Sequence, residues 1–434
     1  MLTGWGRYKK YNISMLKPKN LSNLQTILNN KIKSKNFIVR GFGRSYGDSS
    51  IGENVICLSN FKKKIQLDKK KKTVRCTSNV SIEELINFLL KKKLFIKVTS
   101  GTKYVTIGGS IASDIHGKNH HLEGSFCDHV MEIELMTVNG KIIKCSKKKN
   151  SKLFFATCGG MGLTGIILSA IINIKKIPST KILQTTIKTN SLNETLKKFD
   201  EYKKSNYLVA WFDTNKTGKE LGRAIIYLGE HVNSSKKISK NFNFSIPFVF
   251  PNFFLNSFIF KMLSQIFFFI TPNFKKELID IRKYFYPLDN IRNWNNLYGN
   301  NGFVQIQFLV NEKKALNNIK KLLLFFQDKK QVSFLSTIKK MGKKNQNYLS
   351  FPNKGYTITF DIKVNKNLHL FYAELEKILL SMKATIYLTK DSLMTKKFFL
   401  KSSKNFVKFI NVKKKYDPNF LLTSFQSKRI GLDR

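Results

Sequence analysis

The sequence predicts an α+β fold in two domains, and three observations carry that expectation. Three glycine-rich clusters fall within the first 178 residues, separated by short runs of strand character. After Pro178 the glycines thin out and longer helical and strand segments begin. The chain has 434 residues, 42% hydrophobic and 13% aromatic. That is too long for one ordinary core and apolar enough to bury two. The expected organisation is a first domain over 1–178, a second over 179–410, and a segment 411–434 that turns from basic to apolar and folds back on the first.

Taken in order, residues 21–33 (LSNLQTILNNKIK) have helical spacing, and FIVRG at 37–41 reads as a short buried strand. VICLS (55–59), KIQLD (64–68) and TVRCTS (73–78) read as further strands. SIEELINFLLKKK (81–93) is an amphipathic helix opened by Ser81, with Glu84 three residues on as in a capping box. MEIELMTVNGKIIKCS (131–146) carries an Asn-Gly hairpin signal at its centre. The β-branched run IILSAIINI then closes the region as a strand. The stretch Phe242–Ile270 is extremely rich in Phe but is broken by Pro247, Pro251, Asn252, Asn256, Lys261 and Gln265. It is therefore no membrane span. Two readings stay open for it, a buried helical insertion or a segment contacting a lipid interface.

The formal net charge is +50. Lys, Asn, Ile and Phe are in excess along the whole chain, and the lysine runs at 62–64, 69–72, 91–93 and 147–149 fall in expected turns or helix ends, so solvated faces account for most of the charge. No zinc-finger, RRM or basic-zipper pattern supports nucleic acid. Attraction to anionic lipid or to a phosphate-bearing substrate remains. Cys57, Cys76, Cys127, Cys145 and Cys158 are scattered, with no C-x-x-C among them, which argues against a disulfide framework or structural zinc and for a reducing compartment. MLTGWGRYKKYN lacks the apolar core of a signal peptide, and no run reaches a membrane-spanning length. The expected location is cytoplasmic, or peripheral at the inner membrane.

The chemistry lies in the glycine clusters: Arg40, Gly41, Phe42, Gly43, Arg44, Ser45, Tyr46, Gly47 and Asp48; then 108–117 (GGSIASDIHG); then 159–165 (GGMGLTG). Bare backbone lets successive N–H groups converge on phosphate oxygens. Three such loops can line one groove for a dinucleotide's pyrophosphate. Gly160, Gly162 and Gly165 match G-x-G-x-x-G, yet a strand-like run follows rather than a helix, and the next acidic residue is Glu194, so a Rossmann site is not expected. His116, His120 and His121 do not predict a metal site, because Gly117 argues against the helix that would present two of them together.

At these loops the sequence resembles the vanillyl-alcohol-oxidase type of flavoprotein, and within it the decaprenylphosphoryl-β-D-ribose 2′-oxidase family. The resemblance runs through GWGR (4–7), RGFGRSYGD (40–48), GGSIASDIHGKNHH (108–121), GSFCDHV (124–130), the 153–167 region, AWFD (210–213), YPLD (286–289), GFVQIQF (302–308) and YLTKDS (387–392). It implies a PCMH-type FAD-binding domain of two subdomains, followed by a substrate domain with an antiparallel sheet flanked by helices. FAD is implied to be held by residues 40–48, Gly101, Thr102, Thr106, Gly108, Gly109, Ser110, Ser113, Asp114, His116, Gly117, Lys118, Gly160, Gly162, Gly165 and Ile166. The implied substrate side is Trp211, Tyr286, Gln305, Gln307, Lys339, Thr357, Thr359 and Lys390. Covalent relatives have a flavin-linked histidine where this chain has Arg44, so FAD is expected to be noncovalent. Many members carry cysteine where Thr359 aligns and asparagine where Thr357 aligns, so this pocket wall departs from theirs.

The implied activity is oxidation of a sugar secondary alcohol to a ketone. The expected alcohol is the 2′-hydroxyl of a polyprenylphosphoryl-β-D-ribose, as the first half of an epimerisation to the arabinose form in cell wall polysaccharide biosynthesis. Catalytic roles fall to Lys390, Tyr46 and His116: Tyr46 and His116 organise the proton path, and Lys390, with Lys339, stabilises developing charge, Lys390 being also the candidate base. The implied partners are a lipid-linked sugar substrate and an NAD(P)H-dependent short-chain reductase that acts on the keto product, with peripheral membrane contact. A soluble sugar-1,4-lactone or alditol oxidase is the alternative within flavin chemistry. A basic membrane- or RNA-binding scaffold without flavin is the alternative from another class.

Overall fold

The computed structural model describes residues 1–31, 35–236, 244–251, 256–331, 333 and 335–433. The fold is α+β, as expected. The chain opens with a small parallel sheet in which Val55–Ile56 lies between Met15–Leu16 and Ile38–Val39. The helix beside it is shorter than its spacing predicts. Asn20 caps it by accepting from Asn23 N, the α-helix covers Leu21–Thr26, and Ile27–Lys31 forms a π turn. Residues 32 and 33 of the expected helix lie outside the described residues.

A six-stranded sheet follows, built around the long strand Ile166–Lys176. Thr73–Thr77 pairs with one side of it and Val130–Met136 with the other, and Leu94–Ile96 pairs with its last residues, Ile174–Lys176. Val130–Met136 and Ile142–Cys145 form the expected hairpin, closed where Gly140 takes a φ of 76° that its missing Cβ tolerates. Against this sheet packs the helix Ile82–Leu90. Its capping box is present: Ser81 Oγ accepts from Glu84 N, and the Glu84 carboxylate accepts from Ser81 N. Leu85, Ile86 and Leu89 fill the inward face. The run after Gly165 is a strand, so the G-x-G-x-x-G glycines open no helix.

An eight-stranded antiparallel sheet comes next, in the order Phe274–Asp280, Lys181–Thr189, Ala224–His231, Tyr207–Phe212, Thr337–Met341, Gly355–Lys363, Phe303–Asn311 and Thr385–Ile386. The helices Leu192–Glu201, Ala315–Asp328 and Leu368–Ser381 cover one face with Phe199, Leu322, Phe326, Phe371 and Leu375. Strand alternation sends Ile358, Phe360 and Ile362 toward these helices, and Phe360 stacks on Phe326 with ring centroids 4.0 Å apart. The same alternation leaves Thr357, Thr359 and Asp361 for the opposite face, where Gln305 lies across from Asp361 and Gln307 from Thr359.

The last segment runs back along the first sheets. Phe37 N donates to Leu421 O and Thr423 N to Phe37 O. Beneath it, Lys413 and Asp417 form an ion pair at 2.7 Å that is shut off from solvent, and Lys413 Nζ also donates to Leu163 O and Leu422 O. All five cysteines are buried and free. In the Phe-rich stretch, Ser257–Ile270 is an α-helix started by Asn256, which accepts from Ile259 N. Phe260 and Phe268 point inward, while Phe258 and Phe269 are exposed, so the helix is not the buried insertion that one reading of the sequence expects. Residues 242, 243 and 252–255 of that stretch lie outside the described residues. Among the described residues no helix is long and apolar enough to cross a membrane.

Candidate active site

Between the glycine loops and the polar face of the eight-stranded sheet lies a cavity of about 920 Å³. Its first wall is backbone-rich. Residues 40–46, Gly101, Thr102, Thr106, Gly108, Gly109, Ser113, Gly162 and Gly165 all border it. The loops are held from behind. Arg40 donates to Thr3 O at 2.7 Å and to Ser50 Oγ at 3.2 Å, and Thr106 Oγ1 accepts from Gly109 N at 3.1 Å. Arg44 lies over the Trp5 ring at 4.0 Å, a cation–π contact.

This wall fits FAD on two observations. Gly162 has φ 78°, and a Cβ built there would meet nothing closer than Ile38 Cδ1 at 3.9 Å; one built at Gly101 would meet nothing within 4 Å. Both directions lead into open space at the cavity wall. Arg44 Nε, Asn79 Oδ1 and Gln305 Oε1 border the same cavity, buried and without a hydrogen-bond partner. Buried polar groups normally find partners, so a polar ligand is what would complete them.

The second wall carries ionisable side chains. His116 is buried, with Gln307 Nε2 2.9 Å from its Nε2 and Lys339 Nζ 3.4 Å from its Nδ1. Gln307 and Lys339 thus stand at the two ring nitrogens, of which a neutral imidazole accepts at one. Burial, then the neighbouring Lys339, His120 and Lys390, push its pKa well below the usual imidazole value, so the ring is neutral. Lys390 Nζ sits 3.8 Å above the Tyr46 ring. Burial lowers the Lys390 ammonium pKa, Asp361 opposes that, and Lys339 reinforces it. Lys339 is lowered to about 8 by burial, and Lys118 to about 7 by burial and then by Lys339. Lys118 donates to Tyr284 O and lies 4.2 Å from the Tyr284 ring centroid. Tyr46 is raised well above the usual phenol value, chiefly by burial.

Trp211, Gln305, Gln307, Lys339, Thr359 and Lys390 border the cavity, as do Tyr46, His116, Gly117 and Lys118. Other residues singled out from the sequence are turned away from it. A Cβ on Gly47 would strike Asp391 O, and one on Gly160 would strike Ala156 O; both glycines serve close chain packing. Asp48 pairs with Arg429 at 2.8 Å. Ser110 Oγ donates to Thr106 O within its own helix. Asp114 accepts from Cys127 N, Asn345 Nδ2, Asn347 Nδ2 and Ser350 Oγ, tying the loop to the segment 345–350. Ile166 is fully buried in apolar surroundings. The Tyr286 hydroxyl bonds Thr99 Oγ1 at 2.6 Å, and Thr357 Oγ1 accepts from Gln307 Nε2 at 2.9 Å, so these two act on the wall from behind. The other two histidines are also engaged elsewhere, His120 with Gly342 N and His121 with Ser205 O.

Sequence reasoning missed Asp361. It is 2% exposed, accepts from Gln305 Nε2 and from Tyr298 OH at 3.1 Å, and borders the cavity. Burial raises its pKa. Strand alternation from Thr357 and Thr359 was the available signal, since Asp361 is the next residue on that face. Asp289 was also missed. It accepts from Thr102 Oγ1 and Lys103 N, both at 2.7 Å, pinning a glycine loop to the segment that follows Tyr286.

Residues 14–146 match the family model described as an FAD binding domain. Over 99% of its length the chain is 32% identical to decaprenylphosphoryl-β-D-ribose oxidase of Mycolicibacterium smegmatis, covering 97% of that protein. It is 27% identical to L-gulonolactone oxidase of Mus musculus over 56% of each chain. It is 31% identical to cytokinin dehydrogenase 3 of Arabidopsis thaliana over 32% of this chain and 28% of that one.

Proposed function

Because the chain belongs to the decaprenylphosphoryl-β-D-ribose oxidase family and is an FAD-dependent oxidoreductase, we propose that it oxidises a secondary hydroxyl of a lipid-linked sugar phosphate to a ketone. The substrate assigned is a polyprenylphosphoryl-β-D-ribose, oxidised at its 2′-hydroxyl. An NAD(P)H-dependent short-chain reductase then returns the ketone as the arabinose epimer. Residues 1–178 with 411–434 form the cofactor half in this reading, and 179–410 the substrate half. The observation that carries the substrate class is the cluster of Lys118, Lys339 and Lys390 on one cavity wall, each with its ammonium disfavoured by enclosure. A phosphodiester supplies the missing negative charge, whereas a free lactone or alditol does not.

Bound FAD supplies the two-electron acceptor. The loop 40–46, Thr106, Gly108, Gly109, Ser113, His116, Gly117, Gly162 and Gly165 would hold it. Arg44 offers no nucleophile at physiological pH, so no covalent tether forms at that position. Lys390, in its neutral form, takes the proton of the reacting hydroxyl. Tyr46 beneath it and the neutral His116 position that hydroxyl, and Asp361 sets how readily Lys390 gains and loses its proton. Lys339 and Lys118 hold the phosphate.

The test is anaerobic bleaching of the protein-bound flavin absorbance. Polyprenylphosphoryl ribose is expected to bleach it, while free alditols and sugar-1,4-lactones leave it yellow. Bleaching by a lactone or alditol, with none by the lipid-linked pentose, replaces this substrate class with the soluble one.

A further inference from the structure

We propose that the outward face of the helix Ser257–Ile270 seats this protein on an anionic lipid bilayer, with the cavity behind that helix. Helical spacing puts Phe258, Met262, Ile266 and Phe269 on one stripe. Phe258 is 73% exposed and Phe269 80%. Ile270, Phe274 and the nearby Phe248 are exposed as well. A helix at the surface of a globular protein ordinarily turns a polar face to water. This one is apolar on both faces.

The inner face is firmly held. Phe260 packs with Tyr298 and Trp294, Phe268 with Trp211 and Ile225, and Ser264 Oγ accepts from Asn215 Nδ2 at 3.0 Å. The helix therefore presents its outer Phe stripe on a fixed base rather than as a frayed end.

Charge selects the occupant. Lys261 on the helix itself, Lys276 beside the exposed Phe274, and Arg292 at the cavity edge are exposed, on a chain with a formal net charge of +50. An apolar stripe accompanied by cations matches acyl chains beneath anionic headgroups. A second copy of the chain would set these cations against each other. The location also fits. Phe267, on the inner side of this helix, borders the cavity, as do Ile291 and Arg292, so the helix that carries the stripe forms part of the cavity wall. Seating does not depend on the sugar assigned above, and it is measured without any substrate.

The experiment is sedimentation of the FAD-loaded full-length protein with vesicles of phosphatidylcholine alone and of phosphatidylcholine with phosphatidylglycerol. The protein is expected to sediment with the mixed vesicles. Its partition should fall about tenfold or more when Phe258→Gln and Phe269→Gln are combined. Lys261→Gln with Lys276→Gln should erase the preference for phosphatidylglycerol while some binding to both vesicles remains. Unchanged flavin absorbance and melting temperature show that each variant is folded. Equal sedimentation of the double Phe variant and the parent overturns the proposal. So does a parent that ignores both vesicles, or one that forms a dimer which the Phe substitutions dissolve.

Discussion

The assignment of Lys390 as the base makes a prediction with two opposite signs. A base acts in its neutral form, so the rate of flavin reduction falls as pH drops through its apparent pKa. Burial lowers the Lys390 ammonium pKa, Asp361 raises it, and Lys339 lowers it again. Asp361→Asn keeps the shape and one acceptor, its oxygen facing Gln305 Nε2 while its NH2 turns to the Tyr298 hydroxyl, which can accept, and it removes the negative charge. An opposite charge nearby is worth roughly 1–3 pKa units. The acid limb should therefore move down by about one unit or more, or ~1.4 kcal/mol per unit. Lys339→Met removes a like charge, and the limb should move up.

The assay is anaerobic single-turnover reduction of the bound flavin at saturating substrate, followed between about pH 5 and 9. The other groups around Lys390 do not mimic the response. Tyr46 is held protonated by its raised pKa, and His116 neutral by its lowered one. Lys118 titrates near about 7, but the forces on it are burial and Lys339, not Asp361. A limb that stays in place in Asp361→Asn, or moves the same way in both variants, removes Lys390 from the base role.

Lys339→Met should also stabilise the flavin-free protein. The folded pKa of Lys339 lies near about 8 against an ordinary 10.5, so between those values the unfolded chain binds the extra proton and stability rises with pH. Below that window the wild type lacks this contribution, so the variant should be more stable at neutral pH by up to ~3 kcal/mol in urea unfolding, with the gap closing as pH rises; a variant no more stable than the parent contradicts this. Gly162→Ala should cost ~1–2 kcal/mol through its left-handed backbone and weaken FAD binding about tenfold or more in a fluorescence titration, because its Cβ enters the cavity. Unchanged FAD affinity would take that loop out of the cofactor groove. Lys413→Ala should destabilise the fold by ~3–5 kcal/mol, since it leaves Asp417 buried and unpaired; a loss under about 1 kcal/mol would mean that water reaches the pair.

Much of the fold was legible because local rules decided it. Asn139-Gly140 fixed a hairpin, Ser81 with Glu84 fixed a helix start, and the β-branched run after Gly165 excluded a Rossmann turn. The site was only half legible. Glycine clusters mark where backbone comes close to something, but spacing does not say what. Gly162 opens toward the cavity, whereas Gly41 and Gly43, which border it, are closed on their Cβ side by Thr106 and Arg40, and Gly47 and Gly160 by backbone oxygens. Asp48 and Asp114 likewise looked like ligand contacts and are instead consumed in ties to Arg429 and to residues 345–350. The helix Ser257–Ile270 was illegible for another reason. Its composition announces apolar surface, while the side that is covered depends on Trp211 and Trp294, which lie far from it in sequence.

The lysine wall explains why these features belong together. Enclosing Lys118, Lys339 and Lys390 beside a neutral His116 costs folding free energy, and the charge of Asp361 offsets only part of it. A cavity in that state favours an anion in proportion to the charge it lacks. The same lack lowers the pKa of Lys390 far enough for a neutral amine to exist near physiological pH. Affinity for a phosphate and basicity toward a hydroxyl thus come from one electrostatic deficit, and they oppose each other: a phosphate bound by Lys339 raises the pKa of Lys390 as it arrives. The balance requires the phosphate to sit nearer Lys339 and Lys118 than Lys390. A substrate that brought its charge onto Lys390 would bind well and react slowly, with the acid limb moved to higher pH.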